Sequence, residues 1–299
     1  MARRFASIVF ALAIVSSVWA ETFVKEFNSL YGHIIIQRTG SVVEMFATYK
    51  GWSARESGID LDDPSRIIVP YVQYLFAGSI VSPNPSNALV IGLGGGGFNR
   101  LFNEVYPDAV LTSVEIDPKV LDLAREYMGF VESEKNVVAI RDGRSFVRRS
   151  EEQYDWIVLD AFHGSVVPPH LKTQEFYQEL SAHLTPGGIL IANIHDDSEL
   201  FFYDLATFRA TFRDVLMLKV PGTGNVIVLA ANWDSGTIQA RLEAFDPATI
   251  ANETWHREID AARFPASIVL FSEDDYERGR VMTDDFAPAE YFKIIPAGR

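Results

Sequence analysis

Cysteine is absent from this chain of 299 residues. Without a thiol, the chain cannot form a disulfide, a thiolate metal site or an iron–sulfur cluster, and it cannot use a cysteine nucleophile. Basic residues are also scarce, because 26 Lys and Arg stand against 40 Asp and Glu, for a formal net charge of −14. A surface this acidic repels phosphate backbones and anionic lipid headgroups. We therefore expect no nucleic acid partner.

The remaining composition is that of a globular protein, with 48% hydrophobic and 22% charged residues. A chain of this length suffices for one large domain or two modest ones. The expected segments are a leader or anchor over residues 1–20, a small β-meander domain with a linking helix over 21–84, a nucleoside-binding α/β domain over 85–235, and a C-terminal extension over 236–299.

The first twenty residues have the pattern of a secretory leader. Two arginines are followed by an almost wholly apolar stretch and by Val-Trp-Ala, which ends at residue 20. The apolar stretch is shorter than the ~20 residues that span a bilayer, so a cleaved leader is favoured over an anchor formed by residues 5–19. The sequence thus predicts an exported, periplasmic protein that begins at Glu21, or a membrane-anchored one if the leader is not cleaved.

The rest of the chain changes from strand-like alternation to alternating strands and helices. A small β-meander is predicted over residues 31–58, a helix over 67–80, and a boundary at the Ser-Pro-Asn-Pro-Ser run of 82–86. Beyond it, short apolar strands alternate with helices, which predicts a parallel sheet covered on both faces. The predicted strands are 88–91, 110–114, 137–140, 156–159, 189–194 and 225–231, and the predicted helices are 98–105, 118–127, 144–149 and 173–184.

A glycine-rich loop follows the first parallel strand, at the edge where open parallel sheets bind ligands. Glycines between a strand and a helix let the backbone approach a nucleotide closely. The loop lacks a clean G-x-G-x-x-G ending, because Phe98 follows Gly97, and this argues against a dinucleotide. The glycines expected to bind the ligand are Gly92, Gly94, Gly95 and Gly96.

Three acids end the next three strands, on the same edge of the sheet as the glycine loop. Glu115 can accept hydrogen bonds from both ribose hydroxyls, and Asp142, which precedes Gly143, can accept one from an adenine amino group. Asp160 ends the following strand. A helix N-cap explains any one of these acids. Three at one edge favour a site for one nucleoside without pyrophosphate, such as S-adenosylmethionine.

Two histidines have weaker interpretations. His195 is followed by Asp196 and Asp197, but adjacent residues rarely ligate one ion together, so we predict no metal. His170 follows two prolines and is expected in a lid over the nucleoside, although a lone loop histidine is more often simply solvated.

These motifs resemble the spermidine synthase-like branch of S-adenosylmethionine-dependent proteins. The resemblance runs from Ser29 to Ala231, and its most specific pieces are 90–96 (VIGLGGG), 114–118 (VEIDP), 141–146 (RDGRSF) and 154–160 (YDWIVLD). Two further pieces resemble the subgroup often fused to membrane transporter-like segments, of which none occurs in these 299 residues; they are 168–176 (PPHLKTQEF) and 283–290 (TDDFAPAE).

The resemblance implies a seven-stranded, doubly wound α/β domain behind a small N-terminal β-domain. It implies a transferase in which an amine attacks the methylene next to the sulfonium and releases 5′-methylthioadenosine. The substrate is then S-adenosylmethionine or its decarboxylated form, with Glu115 on the ribose and Asp142 on the adenine. Tyr71 resembles a family tyrosine near the reacting carbon; a half-buried interface aromatic is the alternative interpretation. Asp160 is a candidate both for nucleoside binding and for catalysis.

Three departures from the family pattern bear on the polyamine reaction. Members that transfer an aminopropyl group hold the ammonium of the decarboxylated cofactor with an aspartate in the glycine loop, where this chain has Gly95. The absence of this aspartate favours S-adenosylmethionine itself as the ligand. The aspartate that helps to deprotonate the amine corresponds to His163, which can act as a base near neutral pH. A tyrosine-bearing segment is replaced by residues 216–221, which contain Lys219 and no phenol.

Three functions stay open on these grounds. The first is displacement at the carbon next to the sulfonium, by aminopropyl-type transfer or internal displacement. The second is methyl transfer, and the third is nucleoside binding without catalysis. Each implies a small-molecule substrate or ligand. A homodimer is an option, and membrane contact is expected only if the N-terminal segment is uncleaved.

Overall fold

A computed structural model describes residues 22–49, 52–162 and 167–288 of the chain. The predicted leader and the candidate base His163 lie outside these ranges. Within them, no helix combines the length and the apolar character needed to cross a membrane.

Among the described residues, four antiparallel strands form the N-terminal sheet in chain order: β1 (Thr22–Asn28), β2 (His33–Thr39), β3 (Val42–Tyr49) and β4 (Trp52–Asp60). Alternation along β2 buries Ile34 and Ile36, which pack in one cluster with Leu123 and Met128 of the following domain. The predicted meander is therefore present. The strand β1, which the local pattern did not reveal, extends it at one edge.

The linking segment forms two short helices, α1 (Tyr71–Leu75) and α2 (Gly78–Val81), where one helix over 67–80 was predicted. Pro70 stands at the N-cap of α1. Because a proline disfavours helical backbone in the residue before it, the helix cannot extend back to residue 67. Gly78 packs closely on the main sheet, since a Cβ there would lie 2.6 Å from Cδ1 of Ile191.

The main sheet is built, in the described part of the chain, from β5 (Asn87–Ile91), β6 (Val110–Glu115), β7 (Asn136–Ile140), β8 (Tyr154–Leu159), β9 (Leu184–His195), β10 (Asp214–Lys219), β11 (Asn225–Ala231) and β12 (Ile268–Val269). Their order across the sheet is β12-β10-β11-β9-β8-β5-β6-β7. Strands β5 to β9 run parallel, and β10 and β11 form an antiparallel hairpin. The predicted doubly wound α/β sheet is confirmed, and the two-residue β12 adds an edge strand through its pairing with β10.

Helices cover both faces of this sheet. The helices between the strands are α3 (Gly97–Val105), α4 (Pro118–Tyr127), α5 (Gly143–Val147), α6 (Gln174–Ala182) and α7 (Phe201–Thr211), with a 3₁₀ turn at Pro169–Leu171. The C-terminal part contains α8 (Thr237–Glu243), a 3₁₀ turn at Pro247–Thr249, α9 (Glu253–Glu258), α10 (Arg263–Ala266) and α11 (Glu273–Glu277).

Aromatic side chains fill the core on each face. On one face, Phe102 packs edge-on against Trp156 with 5.6 Å between ring centroids, and Trp255 from the C-terminal part joins the same cluster. On the other face, Tyr177 stacks on Phe208 at 4.3 Å. Close packing of these side chains fixes the positions of the strand ends. The candidate site lies at those ends.

Candidate active site

A cavity lies between the N-terminal sheet and the carboxyl ends of β5, β6 and β8. The sheet edge contributes the three predicted acids, Glu115, Asp142 and Asp160, to its wall. The N-terminal sheet contributes Glu56 and Ser57 from β4. The fold therefore brings the strand-end acids together and places one further acid, Glu56, on the N-terminal-sheet side of the cavity.

The glycine loop forms the part of the wall next to β5. Gly92, Gly94 and Gly97 line the cavity. Gly92 has a φ of 112°, and a Cβ there would lie 2.2 Å from the carbonyl oxygen of Asp160. Only glycine lets the chain leave β5 this close to the end of β8.

The other two predicted glycines, Gly95 and Gly96, are not among the residues that line the cavity. A Cβ on Gly95 would lie 2.4 Å from the sulfur of Met128 and 2.9 Å from Oγ of Ser57. A Cβ on Gly96 would lie 2.2 Å from the ring of Phe130. The loop is thus packed tightly against β4 and the residues after α4 at these two positions.

Glu115 is fixed at the end of β6 by backbone donors on both oxygens. Its Oε2 accepts a hydrogen bond from the N–H of Leu93 at 3.1 Å, and Oε1 accepts one from Asp117 at 2.9 Å. Burial raises the pKa of the Glu115 carboxyl to about 7, although these hydrogen bonds act in the opposite direction. The backbone N–H of Ile116 also hydrogen-bonds to this carboxylate, and the acceptor capacity that remains is available to a ligand hydroxyl.

Asp142 is both a helix cap and part of the cavity wall. Its Oδ1 accepts a hydrogen bond from the N–H of Ser145 at 2.8 Å, and Oδ2 lies 2.7 Å from Nε2 of His170. His170 also lines the cavity. Gly143 supports this corner, because a Cβ there would lie 2.5 Å from Ile91. The histidine expected in a lid thus contacts the acid expected to bind adenine.

Asp160 is held by two side-chain donors at the end of β8. The phenol of Tyr71 donates to Oδ2 at 2.9 Å, and the amide of Asn193 donates to Oδ1 at 2.9 Å. Burial raises the pKa of the Asp160 carboxyl, and the two hydrogen bonds partly offset this rise. Burial and then the charge of Asp160 raise the pKa of Tyr71 well above its usual value, so the phenol stays a proton donor.

A chain of amides connects Asp160 to His195. Oδ1 of Asn193 accepts a hydrogen bond from the amide of Asn225 at 2.9 Å, and that amide nitrogen lies 3.1 Å from Nε2 of His195. Nδ1 of His195 lies 3.6 Å from Oδ1 of Asp197. Over the residues that the structure covers, no three His, Asp or Glu side chains form a group able to hold a metal ion.

Lys219 does not stand beside the reacting end of the site. Its ammonium pairs with Oδ2 of Asp196 at 2.5 Å, and neither residue is among those that line the cavity. The positive charge that the sequence introduces in this segment is therefore neutralised outside the cavity.

Glu56 is a site residue that the sequence pattern did not reveal. Met45 of β3 pairs with Ser57 and the next residue, Phe46, pairs with Arg55, which leaves Glu56 as the extra residue of a β-bulge. A bulge redirects a side chain out of the regular alternation, and Glu56 lines the cavity. In the sequence, Glu56 is marked only as an acid within a predicted strand that is bounded by glycine. This pattern is too common to identify a site residue.

Glu56 has no protein partner for one of its oxygens. Its Oε1 atom is buried without a hydrogen-bond partner among the described residues. Burial raises the pKa of the Glu56 carboxyl well above its usual value, and the charges of Asp160 and Glu115 raise it further. Two other acids of the same cavity therefore oppose the ionisation of Glu56.

Comparisons with known proteins agree with this architecture. The profile of the spermine/spermidine synthase domain matches residues 76–220. A polyamine aminopropyltransferase of Vibrio vulnificus is 33% identical over 284 residues, which cover 93% of each chain. The eEF1A lysine and N-terminal methyltransferase of Bos taurus is 30% identical over 185 residues, which cover 56% of this chain and 26% of that one.

A solved spermidine synthase, in complex with the transition-state analogue AdoDATO, is similar in fold. It has a TM-score of 0.67 at 20% identity and covers 85% of this chain and 88% of its own. The expected fold, a doubly wound α/β sheet preceded by a small N-terminal β-domain, is confirmed by this likeness.

Proposed function

Since the chain belongs to the spermine/spermidine synthase family of transferases, we propose that it catalyses an aminopropyl-type transfer from an S-adenosylmethionine-derived nucleoside to an amine. The observation that carries the proposal is the Tyr71–Asp160 hydrogen bond at 2.9 Å, which faces the same cavity as Glu115. A carboxylate base and a nucleoside-binding acid are the two groups that this reaction requires.

The strand ends bind the nucleoside in this proposal. Glu115, at the end of β6, accepts hydrogen bonds from the ribose hydroxyls. Asp142 and His170 stand at the adenine end, where the carboxylate accepts a hydrogen bond from the amino group. Gly92 and its neighbours let the nucleoside approach the loop backbone.

The reacting end of the cavity is the Tyr71–Asp160 pair. The amine nitrogen forms a bond to the methylene carbon next to the sulfonium while the carbon–sulfur bond breaks. The sulfur takes the bonding electron pair and leaves as the thioether of 5′-methylthioadenosine. Asp160 accepts the proton that the amine must lose, and its raised pKa makes it a stronger base than an ordinary carboxylate. Tyr71 orients Asp160 through its hydrogen bond.

Methyl transfer is the second candidate, because a relative that is 30% identical over 185 residues is named a methyltransferase. The same nucleoside would then bind by the same strand-end acids, and the methyl carbon would be attacked instead of the methylene. S-adenosylhomocysteine would be the product.

Product identification separates the candidates. The full chain is incubated with S-adenosylmethionine or with its decarboxylated form, each with and without putrescine, and the nucleoside is identified by mass. Formation of 5′-methylthioadenosine together with an aminopropylated amine is the expected result. S-adenosylhomocysteine would identify a methyltransferase, and an unchanged nucleoside that nevertheless binds would identify a binding protein without catalysis.

A further inference from the structure

Two buried amides, which we call the amide row, connect Asp160 to a histidine outside the cavity. They are Asn193 of β9 and Asn225 of β11, with 1% and 9% of their surfaces exposed. Asn225 pairs directly with His195 of β9. Asn193 lies two residues before His195, and side chains two residues apart in a strand share a face. The sheet therefore aligns the carboxyl group, the two amides and the imidazole in one line.

The ionised form of Asp160 fixes the direction of each hydrogen bond in the amide row. A carboxylate can only accept, so the amide nitrogen of Asn193 must face it, at 2.9 Å from Oδ1. The oxygen of Asn193 then takes its donor from the amide nitrogen of Asn225, at 2.9 Å. The second N–H of that nitrogen is left for Nε2 of His195, at 3.1 Å. Nε2 must therefore be an acceptor, which places the proton of the neutral imidazole on Nδ1, the atom 3.6 Å from Asp197.

The reverse direction is equally complete, but it belongs to the protonated acid. If both amides turn over, the oxygen of Asn193 accepts from a protonated Asp160. The nitrogen of Asn193 then donates to the oxygen of Asn225, and a protonated Nε2 of His195 donates to the same oxygen. Neither direction sets two donors or two acceptors against each other. The amide row therefore links the proton on Asp160 to the proton on Nε2.

We infer that His195 is a positioning residue: its unprotonated Nε2 holds both amides in the orientation in which Asn193 donates to the ionised carboxylate of Asp160. This inference rests on the proposed function, in which Asp160 is the base. His195 is not among the residues that line the cavity, so it reaches the base through the amides. Without its acceptor, the ionised state would leave a buried N–H of Asn225 unpaired, which costs free energy. The protonated state, in which the oxygen of Asn225 faces the row, has no such cost.

The charged form of His195 also acts on Asp160 directly. Burial raises the pKa of Asp160, two side-chain hydrogen bonds lower it, and the charge of His195 lowers it as well. The groups next to the imidazole, besides the amide row, are Asp197, the ion pair of Asp196 with Lys219 at 2.5 Å, and the ring of Phe162 at 5.1 Å between centroids. A direct effect of charge needs no amides, so the experiment has to separate it from an oriented hydrogen bond.

Carbon-13 NMR of the full chain, labelled in its aspartate carboxyl carbons, tests the inference without any turnover. The signal of Asp160 is assigned by comparison with Asp160→Asn, and its titration midpoint is measured. Asn193→Ala should raise the midpoint by about half a pH unit or more, because a hydrogen bond to the charged form is lost. His195→Phe should raise it in the same direction. The double variant should raise it no further than Asn193→Ala alone, since both changes remove one interaction.

Two further proteins complete the comparison. His195→Gln supplies a side-chain oxygen as the acceptor and no charge, so its midpoint should stay close to that of the wild type. His256→Phe changes an exposed histidine on α9 and is the matched control, with no expected shift. Nitrogen-15 shifts of the wild-type imidazole need no variant: at pH 8 we expect the proton of His195 on Nδ1. In turnover, the acidic limb of the kcat/KM profile should follow the midpoints.

The outcomes separate positioning from charge. A midpoint that does not move in Asn193→Ala or in His195→Phe overturns the inference. Equal shifts in His195→Phe and His195→Gln, or additive shifts in the double variant, would assign the effect to charge and also overturn it. A proton on Nε2 at pH 8 contradicts it without any substitution. Failure of the proposed function is recognised separately, by the absence of an aminopropylated product, and it leaves every midpoint measurable.

Discussion

The phenol of Tyr71 donates a hydrogen bond of 2.9 Å to Oδ2 of Asp160, across 89 residues of sequence. Tyr71 begins α1 in the linking segment, whereas Asp160 follows β8 in the middle of the main sheet. The reacting end of the cavity therefore exists only when the linking segment is docked on the sheet.

Replacing Asp160 with Asn should abolish most of the transfer activity. The amide keeps the shape of the side chain and one acceptor oxygen for Tyr71 or Asn193, but it cannot accept a proton, and a general base contributes ~10²–10⁴-fold to rate. We expect kcat for 5′-methylthioadenosine release to fall by that order, with nucleoside affinity nearly unchanged by calorimetry. Glu151→Gln, which changes an exposed acid shortly before β8, is the control; activity within fivefold of wild type in Asp160→Asn would remove Asp160 as the base.

Replacing Tyr71 with Phe should move the pH profile of the reaction. The Tyr71 hydrogen bond favours the charged form of Asp160 and lowers the pKa of that carboxyl, so its loss raises the pKa further. The base then becomes available only at higher pH. We expect the acidic limb of the kcat/KM profile to shift upward by at least half a pH unit. A fall in rate with the limb in place would mean that Tyr71 contributes packing and does not position the base.

Nucleoside affinity should rise with pH through Glu115. The pKa of the buried carboxyl is about 7 in the free protein, and ribose hydroxyls bind its ionised form. Below pH 7 the group must lose a proton before it accepts them, so 5′-methylthioadenosine should bind about tenfold more weakly at pH 6 than at pH 8. Glu115→Gln should remove this dependence and weaken binding by about 1.5–3 kcal/mol at pH 8.

The control for Glu115 is Glu126→Gln, which changes an exposed acid on α4. Titration calorimetry at pH 6, 7 and 8 measures all three proteins. A pH dependence that survives in Glu115→Gln would assign it to another group in the cavity.

Removing only one member of the buried ion pair of Lys172 and Asp204 should destabilise the folded protein. The two side chains lie 2.7 Å apart and are 5% and 1% exposed. Lys172→Met leaves a buried carboxylate alone and should lower the free energy of unfolding by about 3–5 kcal/mol at pH 8. Adding Asp204→Leu to that variant should recover most of the loss.

The stability of the single variant Lys172→Met should depend on pH in a definite direction. Burial already raises the pKa of Asp204 in the presence of Lys172, and removal of the lysine raises it more. A carboxyl whose pKa is raised in the folded state stabilises that state below its unfolded pKa, and the stability is lost as pH rises through the folded pKa. Urea unfolding should therefore show Lys172→Met closer to wild type at pH 5 than at pH 8; the reverse order would contradict the assignment.

We propose export through cleavage of the leader, which predicts a mature protein that begins at Glu21. N-terminal sequencing of the protein from its native host tests this prediction. An intact Met1 in the membrane fraction would instead indicate an anchor formed by residues 5–19.

The local sequence predicted most of the strands and helices, because the preference of a segment for strand or helix depends on residues close to one another in the chain. The helix Pro118–Tyr127 and the strand Asn225–Ala231 have the predicted bounds, since a proline at the first helical position and a fully apolar run are signals within a few residues of each element. The acids Glu115 and Asp160 were predicted at one edge because parallel strands bring their carboxyl ends together.

Only the tertiary structure decided that Glu56 lies in the same cavity as those acids. Glu56 faces the cavity because a bulge interrupts the pairing of β3 with β4, and no alternation in the sequence marks that bulge. The Tyr71–Asp160 contact depends on where the linking segment docks. The edge strand β12 forms through its pairing with β10. Local patterns report which backbone conformation a segment prefers, whereas bulges, docking and edge pairing are chosen by contacts between segments far apart in the chain.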